Sequence, residues 1–312
     1  MTPLVGTIAP VFGVMVLGFL AVRLNVIGVV GTRRLVLFVF NAAIPIMLFY
    51  RIATIEFPEQ IEWSFLLAYY GSAFATYGAG MAVGAFVFDR PLEEQAIYGM
   101  GAGFSNTVLL GIPLLVSAFG PEATLPVFLI IAFHSATLLP VSVALMGAGR
   151  RRRDGVARLR IGGLLIEVLA NPIILGILLG LAANRAGVTL PRPVDTIAGL
   201  MATVAIPCAL IALGASLAGY RVTGHLGPAT LLATLKLLLH PLLAWVIAVP
   251  ILGLGAPWAP VAVVMAGMPS GAMVYLFGAR YGTATEVAAA TVVVASAASV
   301  VTLSILLVLM GA

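Results

Sequence analysis

Charged side chains are scarce in this sequence, and their scarcity excludes a soluble protein. Only 9% of the 312 residues are charged, 62% are hydrophobic, and the mean hydropathy is +1.17. Soluble domains are about 25% charged. The 16 basic and 11 acidic residues, 27 in all, cannot cover the surface of a soluble chain of this length. The composition therefore indicates a polytopic membrane protein.

Cysteine and nucleotide-binding loops are also missing. The single cysteine, Cys208, excludes an intrachain disulfide and a cysteine-based metal cluster, and no pattern predicts a metal site or a cofactor. No Walker motif occurs, and the glycines stand inside hydrophobic runs, where small residues let helices approach closely. Any active process should therefore draw its energy from an ion or substrate gradient.

Apolar runs of the length that crosses a bilayer occur about ten times, which predicts an all-α fold of ten transmembrane helices. The predicted bounds are 4–22, 34–53, 64–88, 96–119, 124–147, 163–184, 196–219, 229–252, 259–279 and 288–310. The first run lacks a basic leader and is long enough to span. We therefore interpret it as a transmembrane helix rather than a signal peptide.

The arginines between these runs predict the orientation. Twelve lie on one side and three, Arg51, Arg185 and Arg192, on the other. The larger group consists of Arg23, Arg33, Arg34, Arg90, Arg150, Arg151, Arg152, Arg153, Arg158, Arg160, Arg221 and Arg280. Because basic loops stay in the cytoplasm, both termini are predicted outside, with the chain in the inner (plasma) membrane. The densest cluster, at 150–160, is interpreted as a topological anchor rather than a nucleic-acid site.

The two halves of the chain repeat at an offset of 162 positions. Four pairs of residues share this spacing: Pro10 and Pro172, Gly18 and Gly180, Pro45 and Pro207, Gly120 and Gly282. Five runs per half is an odd number, so the second copy must enter the membrane in the opposite sense. An inverted repeat is typical of secondary transporters. The predicted units are a first repeat at 1–148, a basic linker at 149–160 and a second repeat at 161–312.

Two stretches predict broken helices, one in each half. Gly103–Pro113, GFSNTVLLGIP, has glycines and a proline that weaken the fourth run, and Asn106 stands at the predicted break. Ala266–Tyr275, AGMPSGAMVY, lies at a comparable place in the ninth run. Broken spans survive only beside protein or a water-filled cavity, and they form binding sites in transporters. The helix ends at such breaks carry free amides and partial positive charge, which suit a carboxylate.

These stretches supply most of the candidate substrate-binding residues. Asn106 is the first candidate, and its alternative role is to satisfy the backbone of the broken helix. The other candidates of the two stretches are Gly111, Pro113, Pro269, Ser270, Gly271 and Tyr275. Ser270 and Gly271 offer a hydroxyl and accessible backbone, and Tyr275 is placed to cap the pocket.

Lys236 is the only lysine and is predicted near mid-depth in the eighth run, where a charge is costly. Glu167, the nearest acidic candidate, is only a turn into the sixth run, so Lys236 lacks an evident counter-ion. That predicts an anionic substrate or a neutral lysine, with snorkelling as the alternative. His240 follows one turn later and is predicted either to move protons with Lys236 or to bond a carbonyl freed by a proline.

Four further residues are assigned to the scaffold or the cavity wall: Asn41, Pro45, Asn171 and Pro207. His134, in the middle of the fifth run, is interpreted as a hydrogen-bonded structural residue. Glu93 and Glu94 would have to carry any catalytic function, and a role at a helix N-terminus is simpler. No catalytic residue is therefore predicted.

Four motifs together resemble the auxin efflux carrier family, whose plant members are the PIN-FORMED proteins. They are NTVLLGIPLL, FNAAIPIMLF, LKLLLHPLL and MPSGAMVYLFGARYG. The long loop of the plant carriers is absent, so the chain is similar to the short prokaryotic members. The resemblance implies a fold similar to bile acid/sodium symporters, in which broken helices four and nine cross. It also implies a dimer-forming scaffold of helices 1, 2, 6 and 7 and a moving transport domain of helices 3–5 and 8–10.

Together these patterns predict a secondary transporter of a small organic anion that works by alternating access. Mono- and dicarboxylates, auxin-like or similar to malate and malonate, are the expected substrate class. A proton gradient, a sodium gradient and uniport all stay open, as does a passive anion channel. An intramembrane enzyme is the least favoured alternative.

Overall fold

The computed structural model describes residues 2–56, 60–154, 171–220 and 224–311. In these ranges the regular structure is helical, and the β pairing consists of one isolated antiparallel bridge between Ser105 and Ser270. A helix satisfies its own backbone hydrogen bonds, which a chain in hydrocarbon must do. The prediction of an all-helical membrane protein is confirmed.

The helices are numbered in chain order, and the letters a and b mark the two pieces of an interrupted helix. Their bounds are α1 Thr2–Arg23, α2 Val29–Thr54, α3 Ser64–Ala82, α4a Leu92–Gly103, α4b Ile112–Phe119, α5 Thr124–Asp154, α6 Pro172–Arg185, α7 Arg192–Gly219, α8 Leu226–Ile251, α9a Trp258–Ala266, α9b Ala272–Tyr281 and α10 Thr285–Leu309. Each predicted run overlaps one of these helices. Glu167 and most of the predicted linker at 149–160 lie outside the described residues.

Five helical stretches of the described chain are long and apolar enough to cross a membrane. They are Val29–Thr54, Thr107–Arg151, Arg192–Gly219, Leu226–Ile251 and Thr285–Leu309. Two shorter apolar helices, Ile8–Arg23 and Pro172–Arg185, accompany them. The chain is therefore a multi-pass helical membrane protein.

Turns of π-helix interrupt several helices in the described residues. They lie at Val39–Ala43 in α2, Val83–Val87 after α3, Thr107–Gly111 before α4b, and Leu235–Leu239 and Ile247–Ile251 in α8. Such turns are frequent at functional sites because they re-aim the side chains that follow. Three of the π turns contain predicted site residues: Asn41, Gly111 and Lys236.

Glycines allow two pairs of helices to pack backbone against backbone. Gly18 of α1 lies against the Ile211 carbonyl of α7, and a Cβ on Gly180 of α6 would come within 2.8 Å of the Phe49 carbonyl oxygen of α2. The two contacts are related by the offset seen in the sequence, because Gly180 follows Gly18, and Ile211 follows Phe49, by 162 positions. The same spacing therefore links two packing contacts as well as single residues.

The ends of α4b and α9b repeat this relation. Gly120 follows α4b with φ +70°, and Gly282 follows α9b with φ +61°. Both glycines adopt a backbone conformation that other residues rarely reach, so each ends its helix sharply. They too are 162 positions apart.

The helices fall into two packed groups. In the first group α1 packs along α7 and α2 packs along α6 and α7; in the second, α3 packs on α4a and α8, and α8 packs on α9a and α10. α5 joins the second group by packing on α4a. The crossing of the interrupted helices lies where the groups meet, since the π turn Thr107–Gly111 contacts both α7 of the first group and α5 of the second.

Candidate functional site at the crossing of two interrupted helices

The interrupted helices α4 and α9 meet at their breaks. α4a ends at Gly103, α9a ends at Ala266, and the extended residues that follow pair antiparallel. The main-chain N–H of Asn106 donates to the Pro269 carbonyl at 2.8 Å, and the main-chain N–H of Gly271 donates to the Phe104 carbonyl at 3.1 Å. Each break thus satisfies backbone groups of the other, which lets both persist inside the bundle.

Asn106 satisfies the backbone of the broken helix, its alternative predicted role, and its substrate contact stays a prediction. Its Oδ1 accepts the Leu109 amide at 3.3 Å and caps the π turn that begins at Thr107. Its Nδ2 is buried and has no hydrogen-bond partner among the described residues. One end of the amide therefore stabilises the broken helix, and the other end is available to a ligand.

A cavity of about 170 Å³ lies beside the crossing and is lined by Asn106. Polar groups in its wall come from the α4 break, α5, α6 and α7: Ser105, Asn106, Thr107, His134, Ser135, Asn171 and Ser216. The α9 break contributes Gly271, and α9b contributes Ala272 and Met273 at its N-terminus. The first amides of a helix have no partner inside the helix and suit an anion.

His134 is the polar residue of this wall that sequence reasoning assigned to structure alone. It is 2% exposed, its Nδ1 lies 3.2 Å from the Tyr69 hydroxyl, and its Nε2 has no partner in the described part of the chain. Its ring lies 4.3 Å from the ring of Phe104 in the α4 break. His134 is therefore both hydrogen-bonded, as predicted, and part of the cavity.

Lys236 lies on the other side of the crossing. Its Nζ donates to the Ala266 carbonyl at 2.5 Å and lies 3.0 Å from Nδ1 of His240. Ala266 is the last residue of α9a, so the lysine satisfies a carbonyl at a helix C-terminus, where a cation is favourable. Neither Lys236 nor His240 lines the cavity. The direct substrate contact of Lys236 stays a prediction.

The other candidates of the two stretches lie around the crossing but outside the cavity wall. Ser270 donates its hydroxyl to the Gly101 carbonyl of α4a at 2.6 Å. Pro269 is buried and accepts the Asn106 amide. Pro113 occupies the first turn of α4b, where its missing N–H is harmless, and Gly111 packs against Met265. The Tyr275 ring packs on Tyr220 at 4.7 Å.

Of the four residues assigned to the scaffold or the cavity wall, one lines the cavity and three lie outside its wall. Asn171 lines the cavity, and its Oδ1 accepts the Ile173 amide at 2.9 Å, capping α6. Pro45 is buried and packs against Gly176. Asn41 and Pro207 are exposed side chains of α2 and α7 outside the cavity wall.

A second cavity, of about 740 Å³, lies at the opposite end of the bundle. Its wall includes Arg51 and Glu56 at the end of α2, Glu122 before α5, and Trp258 at the start of α9a. The two cavities share no described lining residue. In the described residues no group of three or more histidine, cysteine or acidic side chains is arranged to hold a metal ion.

Similarity to known proteins extends over nearly the whole chain. A family model described as membrane transport protein matches residues 3–307. A protein of Rhizobium meliloti (strain 1021) named "Putative malonate transporter" is 29% identical over 318 residues, which cover 98% of this chain and 96% of the relative.

Proposed function

Because this chain belongs to the membrane transport protein family, the auxin efflux carrier family of the sequence motifs, we propose that it is a secondary transporter of a small organic anion. The family and the relative point to a transporter rather than an enzyme. Glu93 and Glu94 fit this proposal, since they stand in the first turn of α4a, where acidic side chains are favourable.

One observation carries the proposal: Asn106, whose side-chain nitrogen is buried without a partner among the described residues, lines a cavity at the crossing of two broken helices. Asn106 Nδ2 is the buried donor, and a carboxylate is a strong acceptor for it. The N-terminus of α9b, at Ala272 and Met273, opens onto the same cavity and adds helix-end amides. A carboxylate docked there would contact Asn106 and the α9 break together.

Alternating access is proposed from the internal symmetry. The repeated contacts of Gly18 and Gly180, and the matching glycine ends of α4b and α9b, support two inverted repeats of five helices each. The two packed groups of helices support a scaffold of α1, α2, α6 and α7. The remaining helices, which hold the crossing, would form the transport domain that moves against it.

The position of the cavity favours an inward-facing state. Its wall includes Val36 of α2, two positions after Arg34, and Ser216 near the end of α7. Those helix ends belong to the side of the chain that carries twelve arginines, which we propose to be cytoplasmic, with both termini outside. The second cavity, around Arg51, lies at the opposite, outer end.

A proton is the proposed coupling ion, and sodium or uniport are the alternatives. Lys236 and His240 form a buried pair beneath the crossing, at 3.0 Å, through which a proton could move. This pair contacts the end of α9a, so a change in its protonation would act on the crossing directly.

Malonate, malate and similar small carboxylates are the proposed substrate class. The relative's name gives malonate for that protein, and a cavity of about 170 Å³ suits molecules of this size. We further propose that the protein works as a homodimer in the inner membrane.

Counterflow in proteoliposomes tests the function. Labelled malonate, malate and indole-3-acetate are offered with imposed proton or sodium gradients, using wild type and Asn106→Ala. We expect saturable counterflow of at least one acid and loss of that flux in Asn106→Ala, because the variant lacks the cavity-facing donor. Asn41→Ala, which alters an exposed asparagine outside the cavity, is the matched control and should transport normally.

Two results would contradict the proposal. Non-saturating flux that ignores substrate on the opposite side would make the protein a channel. Normal counterflow in Asn106→Ala would remove the crossing from the substrate path.

A further inference from the structure

Two side chains that line the crossing cavity, from different helices, each carry a buried nitrogen with no partner in the described structure. They are Asn106, 6% exposed, with Nδ2 in the α4 break, and His134, 2% exposed, with Nε2 on α5. Unpaired buried polar atoms are rare in folded proteins, and two beside one cavity indicate a ligand that pairs with both. The cavity wall near them contains neutral polar and apolar side chains.

Whether His134 Nε2 is a donor depends on the contact at its other nitrogen. Nδ1 lies 3.2 Å from the Tyr69 hydroxyl, and a phenol donates to an imidazole nitrogen more readily than it accepts from one. When Nδ1 accepts that hydrogen bond in the neutral ring, the ring's own hydrogen must stand on Nε2. The Tyr69 contact therefore makes Nε2 an N–H donor.

The surroundings hold both rings in place. Tyr69 is fully buried in α3, and its neighbour Tyr70 donates to the Ile130 carbonyl of α5 at 2.5 Å, which ties the two helices together. The Phe104 ring lies 4.3 Å from the imidazole, measured between ring centroids. The Ser105 carbonyl is close to His134 as well and accepts the Thr107 main-chain N–H at 2.9 Å, but it makes no hydrogen bond with Nε2.

We propose that His134 Nε2–H, aimed by Tyr69, and Asn106 Nδ2–H together hold one carboxylate of the substrate; this inference rests on the transport function proposed above. A carboxylate has two oxygens that accept several hydrogen bonds, so one oxygen can take each donor. His134 is then a substrate-binding residue, and Tyr69 is a positioning residue that acts through it. These two neutral N–H donors would bind the carboxylate without a cationic side chain in the cavity wall.

Two variants of similar size separate the donor from the shape of His134. His134→Gln keeps an N–H at the end of the side chain, and His134→Met has none. Equilibrium binding of labelled malonate, or of whichever acid the wild type exchanges, should weaken about 10–100-fold in His134→Met and only a few-fold in His134→Gln. Tyr69→Phe should fall between them, since the tautomer is no longer fixed.

Nitrogen NMR of the wild type reads the tautomer directly. The chain has three histidines, so uniform ¹⁵N-histidine labelling gives few signals, and His134→Gln assigns the one that disappears. We expect an unprotonated Nδ1 and a protonated Nε2 at His134. A protonated Nδ1 in the neutral ring would overturn the proposal.

These experiments also distinguish a failure of the donor pair from a failure of the proposed transport function. Saturable counterflow that is lost in Asn106→Ala, with equal binding by His134→Met and His134→Gln, would overturn the donor pair and leave the transporter intact. Absence of counterflow for every acid in the wild type would overturn both. If His134→Met fails to fold, the tautomer of the wild type and the substrate affinity of Tyr69→Phe decide whether the donor pair stands.

Discussion

The breaks in α4 and α9 share a backbone solution and differ in their side chains. Each break gives one amide to the other, through Asn106 and Gly271. In the α4 break, however, the Asn106 side chain leaves a donor for the cavity. In the α9 break the Ser270 hydroxyl is already bonded to Gly101, and the preceding helix end is satisfied by Lys236. One break thus leaves a side-chain donor unpaired, whereas the polar groups named for the other break are already paired within the protein.

Filling the space at Gly271, where the two breaks meet, should have the largest effect on transport and stability. A Cβ there would lie 3.3 Å from the Ser105 carbonyl oxygen and 3.5 Å from Asn106 Cα, so the branched side chain of Gly271→Val must push the two breaks apart. We expect loss of counterflow and a clearly lower Tm in detergent, because both crossing hydrogen bonds would be weakened.

Gly78→Val is the control for this prediction. Gly78 is exposed on α3, and a Cβ there would have no heavy atom within 4 Å, so only a small change in helix propensity applies, which favours valine over glycine. Full transport and a normal Tm in Gly271→Val would mean that the breaks do not need their close contact.

Lys236→Met should have the next largest effect, and chiefly on stability. The variant removes the donor to the Ala266 carbonyl and the contact with His240, which leaves buried acceptors unsatisfied at a cost of about 1–3 kcal/mol. Thermal unfolding in detergent should show the loss. Substrate affinity should fall less than in Asn106→Ala, since Lys236 lies outside the cavity wall.

Thr234→Ala, an exposed change on the same helix, is the control for Lys236→Met. If Lys236→Met weakens substrate binding as much as Asn106→Ala does, the lysine contacts the substrate in another state of the transport cycle. Lys236 would then bind substrate as well as stabilise the end of α9a.

The sequence could predict the broken helices because the signal is local. Glycine and proline weaken a helix wherever they stand, and Asn106 marks the break in a single stretch of apolar residues. The family resemblance was confirmed, and it came from motifs of the same short stretches. Local patterns therefore located the crossing.

The parts that depend on distant contacts could not be predicted. A lone histidine in an apolar run gives no sign that it faces a cavity, and the Tyr69 that fixes His134 stands 65 positions away. The partner of Lys236 is likewise a main-chain carbonyl, 30 positions on, and any residue type could supply it. Such contacts arise from tertiary packing, which periodicity does not encode.

Ser270→Ala should have the smallest effect and gives the sharpest test of the difference between the breaks. It removes one buried hydrogen bond, to the Gly101 carbonyl, worth about 1 kcal/mol in a membrane protein. Unfolding should detect a small loss of stability, whereas the substrate Kd should stay unchanged because the hydroxyl does not face the cavity. Ser304→Ala, whose hydroxyl bonds a carbonyl of its own helix, is the matched control. A loss of affinity close to that of Asn106→Ala would instead make the Ser270 hydroxyl of the α9 break part of the binding site, where the sequence analysis listed it as a candidate.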